Sequence, residues 1–301
     1  MGIITIHEEV RDTLASGGAV VALESTIFSN LGLPSPANAQ ALERCIFAIR
    51  AAGAVPAITA VIDGVPRVGL HDHECERILG QAQKAGEREL ALAVAQRWPV
   101  GATTVSASLL LASQAGIGVF ATGGIGGVHR DSQLHGDISA DLGALAAHPV
   151  VTVCAGAKSF LDLPRTLEYL ETLGVPVVGV DCTEFPAFTV NSSGLPIPAR
   201  VDDVAQLAAF TVAHRALGRT GGILACVPVP IEHSLDKTTI DAIIVQALEA
   251  TARAGIVGPA VTPHVLGAIA QATGGASVVA NLSLAENNAR VAAQLAVILA
   301  R

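Results

Sequence analysis

Aromatic side chains are scarce in this chain: seven Phe, one Trp and one Tyr among 301 residues. About half of the residues are hydrophobic, 51%, so the core must be built from Ala, Val, Ile and Leu. Such small side chains suit close packing of helices on strands in a layered α/β protein. Lysine is also scarce, with only Lys84, Lys158 and Lys237. The formal net charge of −8 excludes a broad nucleic-acid surface but leaves room for one small phosphate. No apolar run reaches the roughly 18 residues a membrane helix needs, so no membrane span is expected. The first residues lack a basic region followed by an apolar stretch and do not read as a signal peptide. Gly2 does not read as a myristoylation site, because Ile6 stands where that motif requires Ser or Thr. The five cysteines, Cys45, Cys75, Cys154, Cys182 and Cys226, are scattered and form no CxxC pair. They read as reduced thiols of a cytoplasmic protein.

Short Val-rich runs mark buried strands at 19–23, 56–62, 117–121, 150–155, 175–180 and 222–227. Runs without polar alternation fit strands covered on both faces, as in a largely parallel sheet. Between them lie helical patterns at 36–52, 109–115, 140–147, 165–173, 201–217 and 238–254, with a last helix at 287–299. Strand and helix alternate, and no linker or low-complexity tract divides the chain. The expectation is one domain over 1–301, an α/β/α sandwich around a largely parallel central sheet.

Five segments could carry chemistry. Glu24 follows an apolar strand in VVALEST. It reads either as a solvated loop residue or as a carboxyl group whose desolvation makes it a proton donor. GATTVSAS, 101–108, offers hydroxyls and amides ahead of an apolar helix, as a plain cap or as an anion cradle; Thr104 and Val105 lie in it. ATGGIGGVHRD places four glycines after a strand and His129 just beyond. The spacing is not GxGxxG, so a dinucleotide fingerprint is rejected, and a substrate loop or a structural turn remain. In DISADL, Asp137 is expected to cap the next helix, with Ser139, Ala140 and Asp141 in its first turn. The alternative is a hard-metal site using one or two carboxylates and water. Lys158 follows VVTVCAGA at a strand end, either reaching for water or acting as an amine nucleophile. HDHEC, with His71, His73 and Cys75, has the look of a metal site but reads better as a polar helix start running on through ERILGQAQ.

Taken in order, these segments resemble the pseudouridine-5′-phosphate glycosidase family, also called indigoidine-synthase-A-like. The resemblance spans nearly the whole chain through ALEST (22–26), AVIDGVPRVGL (60–70), GATTVSAS (101–108), VFATGGIGGVHR (119–130), DISADL (137–142), VCAGAKSFLDLPRTLEYLETLGVPV (153–177), EFPAF (184–188) and NLSLAENNA (281–289). It implies an α/β/α enzyme, assembled as a homotrimer, that cleaves the carbon–carbon bond between uracil and ribose 5-phosphate in a phosphorylated nucleoside. By matched position, Glu24 becomes the proton donor and Lys158 the nucleophile. Asp137 becomes the residue associated with a divalent metal, usually Mn²⁺. Lys84, Val105, Ser139, Ala140 and Asp141 become substrate contacts, with Thr104, His129 and Asn281 as further candidates. Lys84 is matched through the pattern Lys84, Arg88, Glu89, Leu90, which requires one extra residue before Gly101.

Three neighbourhoods depart from the family pattern, at Asn30, Val227 and His264, and leave the exact substrate open. A glycosidase acting on another sugar phosphate is the second reading. A non-catalytic sugar-phosphate-binding protein is the third. The phosphate pocket has several candidates: Lys84, the hydroxyls of 101–108, and Asn281, Asn287 and Asn288.

Overall fold

The computed structural model describes residues 3–256, 258 and 261–300; Gly2 and the two ends of the 1–301 span lie outside them. In chain order the first half runs β1 (Thr5–Ile6), α1 (Glu8–Ala15), β2 (Val20–Leu23), α2 (Ala37–Ala51), β3 (Val55–Ile62), β4 (Val65–Val68), α3 (Asp72–Ile78), β5 (Gln83–Ala85), α4 (Glu87–Ala95), β6 (Val100–Thr103), α5 (Val105–Gln114), β7 (Val119–Ala121) and α6 (Ser132–His135). The second half runs α7 (Ala140–Ala147), β8 (Val151–Cys154), α8 (Leu163–Thr172), β9 (Val177–Val180), β10 (Ala199–Val201), α9 (Val204–Ala216), β11 (Ile223–Cys226), a 3₁₀ turn (Ile231–His233), α10 (Lys237–Arg253), α11 (Val261–Ala272) and α12 (Ala276–Leu299).

The main sheet has the order β1-β4-β3-β2-β7-β8-β11-β9-β10. From β3 to β10 every neighbouring pair is parallel. β3 is the hinge of the architecture. Its first half pairs parallel with β2, and its second half pairs antiparallel with β4 and β6. β5 then adds to β6. Successive residues of a strand face opposite sides. Val20 and Ala22 point into a core shared with Leu109, Leu142, Leu170 and Ile240 from α5, α7, α8 and α10. Val21 and Leu23 point into a second core with Ile49, Leu207 and Leu284 from α2, α9 and α12. Helices therefore cover both faces, which is the expected α/β/α sandwich. Ala-rich interiors let α12 pack closely against β7 and β8.

All six Val-rich strands form. Several expectations are corrected. The helix of GATTVSAS begins at Val105 rather than Leu109, because Thr104 is already extended and serves as its cap position. The helix starting at His71 does form, but it stops at Ile78, and Gln83–Ala85 is a strand, not helix. The last helix begins at Ala276, eleven residues earlier than its pattern suggests. It is buried over much of its girth, which erases the one-sided stripe. Among the described residues no single helix is long and apolar enough to cross a membrane. α11 and α12 satisfy that test only as a pair bent by 118°.

Candidate active site

Parallel strands end at a common edge, and loops leaving that carboxyl edge are where α/β proteins bind ligands. Glu24 leaves β2, Thr122 leaves β7, and Lys158 follows β8. All three line a cavity of about 580 Å³. Thus β2, β7 and β8, central and adjacent in the sheet, bring together residues 134 positions apart (158 − 24).

Glu24 is almost sealed from solvent, 8% exposed. The Thr122 hydroxyl donates to its Oε1. Burial pushes its carboxyl up to about 6, against the pull of the Lys158 charge and the Thr122 hydrogen bond; Asp141 adds to the rise and Lys84 opposes it. A carboxyl group balanced near neutrality can both give and take a proton.

Lys158 reaches the cavity because the chain between β8 and the lysine is tightly turned. Gly156 takes φ +73°, and a Cβ there would lie 2.0 Å from the Pro186 carbonyl oxygen, so only glycine fits. The Lys158 backbone N–H donates to Ile125 O at 3.2 Å, and its Nζ donates to Gly124 O at 3.0 Å. The glycine loop therefore holds the lysine at both ends.

Lys84, on β5, also lines the cavity. It keeps open surface along its length, yet lost hydration first, and the Lys158 charge second, hold its ammonium below the usual lysine range. Its position on a short strand beside β6 was not legible from its sequence context.

Asp141 lines the cavity and also holds the cavity's backbone. Its Oδ1 accepts from Ser106 N at 3.1 Å and its Oδ2 from Gly126 N at 2.8 Å. It is buried, 7% exposed. It ties the start of α5, the glycine loop and the start of α7 into one wall of the cavity. The α7 cap is Ser139, whose Oγ accepts from Asp141 N at 3.3 Å, so the expectation that Asp137 caps this helix is corrected. Ser139 and Gly126 touch closely: a Cβ on Gly126 would stand 2.2 Å from Ser139 Oγ. Ala140, Ser139, Thr104 and Val105 all line the cavity. Val105 is the first residue of α5, where amides lack helical partners.

Freed from capping, the Asp137 side chain faces the cavity and stays 42% exposed. Its nearest charged-type neighbour is His129, with Nδ1 3.7 Å from Oδ2. Burial lowers the His129 pKa, the Lys84 and Lys158 charges add to that, and Asp137 opposes it. Among the described residues no group of three His, Cys, Asp or Glu side chains could hold a metal. A single open carboxylate still fits a hard divalent ion that keeps most of its ligands as water or substrate oxygen.

Asn281 projects from α12 into the cavity, 8% exposed, and its Oδ1 is buried with no hydrogen-bond partner. An acceptor left open beside the cavity is what a ligand N–H or O–H would complete. The neighbouring candidates fall away. Asn287 Oδ1 accepts from Arg290 at 2.6 Å on the outer side of the helix. Asn288 is fully buried and donates to the Thr122 and Gly123 carbonyls. Thr122 itself was missed, although ATGG after a strand put a hydroxyl at the same sheet edge.

The three departures do not reach the cavity wall. Asn30 binds Gln81 Oε1 and the Ala82 N–H in an outer loop. Val227 is packed in the core, and His264 sits on α11 with Nε2 buried and unpartnered. His71 bonds His7 at 3.1 Å and stacks on His73 at the start of α3.

A lysine amine, a near-neutral carboxyl group and an exposed carboxylate line one cavity at the carboxyl edge of this α/β sheet. The chain belongs to the Indigoidine synthase A like protein family, whose sequence model matches residues 9–298. Pseudouridine-5′-phosphate glycosidase of Chloroflexus aurantiacus is 47% identical over 98% of both chains, and that of Myxococcus xanthus 49% identical over 99% of both. Among solved structures, the prealnumycin C-glycosynthase AlnA in complex with ribulose 5-phosphate superposes with a TM-score of 0.90 at 37% identity, covering 99% of this chain and 97% of that one. An indigoidine synthase A-like protein from Thermotoga maritima gives 0.89 at 32% identity over 100% and 98%.

Proposed function

We propose that this enzyme cleaves the C–C glycosidic bond of pseudouridine 5′-phosphate, with water, to uracil and ribose 5-phosphate. The observation that carries the reading is Lys158 beside the buried, near-neutral Glu24 in one cavity. Relatives nearly half identical over their full length bear the glycosidase name.

A C–C bond offers no leaving oxygen to protonate, so the paired-carboxylate route of ordinary glycosidases does not suffice. Lys158 Nζ attacks C1′ of the sugar, the C1′–O4′ bond breaks, and O4′ leaves with the proton the nitrogen sheds as the ring opens. Glu24 shuttles protons and delivers one to C5 of uracil. The nitrogen lone pair then expels the base and leaves an iminium carbon bound to Nζ. Water adds to that carbon, and ribose 5-phosphate departs while the amine is regenerated. The covalent adduct splits one hard step into easier ones. Lys84 and the Val105 end of α5 are the proposed phosphate partners, a cation beside a helix N-terminus. Ser139, Ala140 and Asp141 belong to the same wall as Val105, and Thr104, His129 and Asn281 offer further polar contacts. Asp137 is the residue that would hold a divalent ion such as Mn²⁺, which would supply charge for ordering water and substrate oxygens. The homotrimer and the cytoplasmic setting implied by the family resemblance belong to the same proposal.

Uracil release from pseudouridine 5′-phosphate, followed with and without Mn²⁺, tests the reading directly. Borohydride with ribose 5-phosphate should label Lys158, and Lys158→Ala should take no label. A fully active Lys158→Ala enzyme overturns the mechanism. A second reading, another sugar phosphate joined to carbon, gains support from the C-glycosynthase neighbour with its bound ribulose 5-phosphate. Turnover of such a compound without uracil release would favour it.

A further inference from the structure

Glu24 does not stand alone against the cavity wall. The hydroxyl of Thr122 donates to it, and Thr122 is in turn held from behind. Asn288 Nδ2 on α12 donates to Thr122 O at 2.8 Å and to Gly123 O at 3.2 Å. Asn288 is 0% exposed and does not line the cavity. Its neighbours along the helix, Leu284, Ala285, Ala289, Val291 and Ala292, are buried and apolar. Its Oδ1 has no partner among the described residues. A half-satisfied amide in an apolar wall costs stability that a leucine of similar size would not. What the amide provides there is a grip on two successive carbonyls where β7 opens into the glycine loop.

We propose that Asn288 is a positioning residue for Glu24, acting through Thr122. By fixing the Thr122 backbone from the far side of the sheet edge, it aims the hydroxyl at the carboxylate and holds the proton-handling oxygen in place. The proposal rests on Glu24 as the proton-handling group. The charged groups facing Glu24 are Lys158 and Lys84 on one side of the balance and Asp141 on the other. The Thr122 hydroxyl adds to the lysines in favouring the ionised form, so a loosened Thr122 leaves Glu24 protonated to higher pH.

The test is ¹³C NMR of glutamate carboxyls in the full chain without substrate, the Glu24 signal being identified by its loss in Glu24→Gln. Asn288→Leu and Thr122→Val should each raise the Glu24 midpoint, by about half to one pH unit. The double variant should move no further than Thr122→Val alone, because the two act in series. Thr122→Ser should recover most of the Thr122→Val shift. In turnover, Asn288→Leu should lower kcat about tenfold with KM within about twofold, and the limb of the pH profile that depends on Glu24 should move up with the NMR midpoint. A folded Asn288→Leu protein with an unmoved midpoint overturns the proposal, whether or not its activity falls. Should that variant not fold, Asn288→Ala, in which water can refill the space, carries the same expectation. If the unaltered protein releases no uracil, the functional reading fails while the NMR midpoint still decides the role of Asn288.

Discussion

Replacing Asp141 by alanine separates the substrate contact that the family resemblance implies from the backbone support that the structure adds. A substrate contact would cost binding and leave the free protein's stability untouched. The structure instead has both carboxylate oxygens occupied by backbone amides, Ser106 N at 3.1 Å and Gly126 N at 2.8 Å, in a residue only 7% exposed. Alanine leaves those two buried donors unmet, at about 1–3 kcal/mol each. The expected loss is therefore about 2–6 kcal/mol, a large part of the roughly 5–15 kcal/mol that holds a typical domain. Urea unfolding of the ligand-free protein should show a clearly lower midpoint with little change in slope. Asp141→Asn keeps one acceptor but turns an NH₂ toward the second amide, so it recovers only one of the two bonds. Activity should fall together with stability in both variants, because the same wall carries Val105 and Gly126. An Asp141→Ala protein with an unchanged urea midpoint and a raised KM would refute this reasoning and return Asp141 to a plain ligand contact.

Glu24→Gln should abolish turnover yet stabilise the protein at neutral pH. The folded carboxyl is raised from about 4.5 to about 6, so its contribution is fully present below about pH 4.5 and is lost as pH rises through about 6. That difference is worth about 2 kcal/mol above pH 6. Denaturation of both proteins at pH 4 and pH 7 would show it, and an equal stability gap at both pH values would contradict the assignment. Gly126→Ala should destabilise by about 1–3 kcal/mol, since its Cβ would meet Ser139 Oγ at 2.2 Å and displace the α7 cap; thermal unfolding measures it. Asn281→Ala should leave stability nearly unchanged, because its open Oδ1 has no partner to lose, while raising KM; steady-state kinetics would check this.

The parts of this fold that were legible in the sequence are those where one physical cause dominates. Val-rich runs such as 150–155 are buried on both faces, so nothing but strand fits them, and each appears where expected. The strands that escaped notice are short or carry the wrong residues. β4 contains Pro66, tolerated in its antiparallel position beside β3, and β5 carries Lys84 in a stretch that continued the pattern of α3. β6 overlaps the hydroxyl-rich GATT that reads as loop. Local pattern cannot reveal these, because their pairing partners lie far along the chain.

The site shows the same division. Glu24 and Lys158 could be singled out because a charge directly after an apolar run can only sit at a strand end. Their meeting follows from the β2-β7-β8 order, which no local pattern contains. The supporting roles of Asp141 and Asn288 were not legible because their partners are backbone groups, and that of Thr122 because its partner, Glu24, lies 98 residues away. An acidic residue in a first helical turn, a threonine before glycines and an asparagine in an Ala-rich helix each have an adequate local explanation. Only the fold brings the Ser106, Gly126, Thr122 and Gly123 peptide groups opposite Asp141 and Asn288. Residues that do chemistry announce themselves by type and placement, whereas residues that hold a site in register are defined by main-chain atoms. The substitutions most informative about this enzyme are therefore at its Asp141 and Asn288 supports, where a change in geometry can be read apart from the loss of a reacting group.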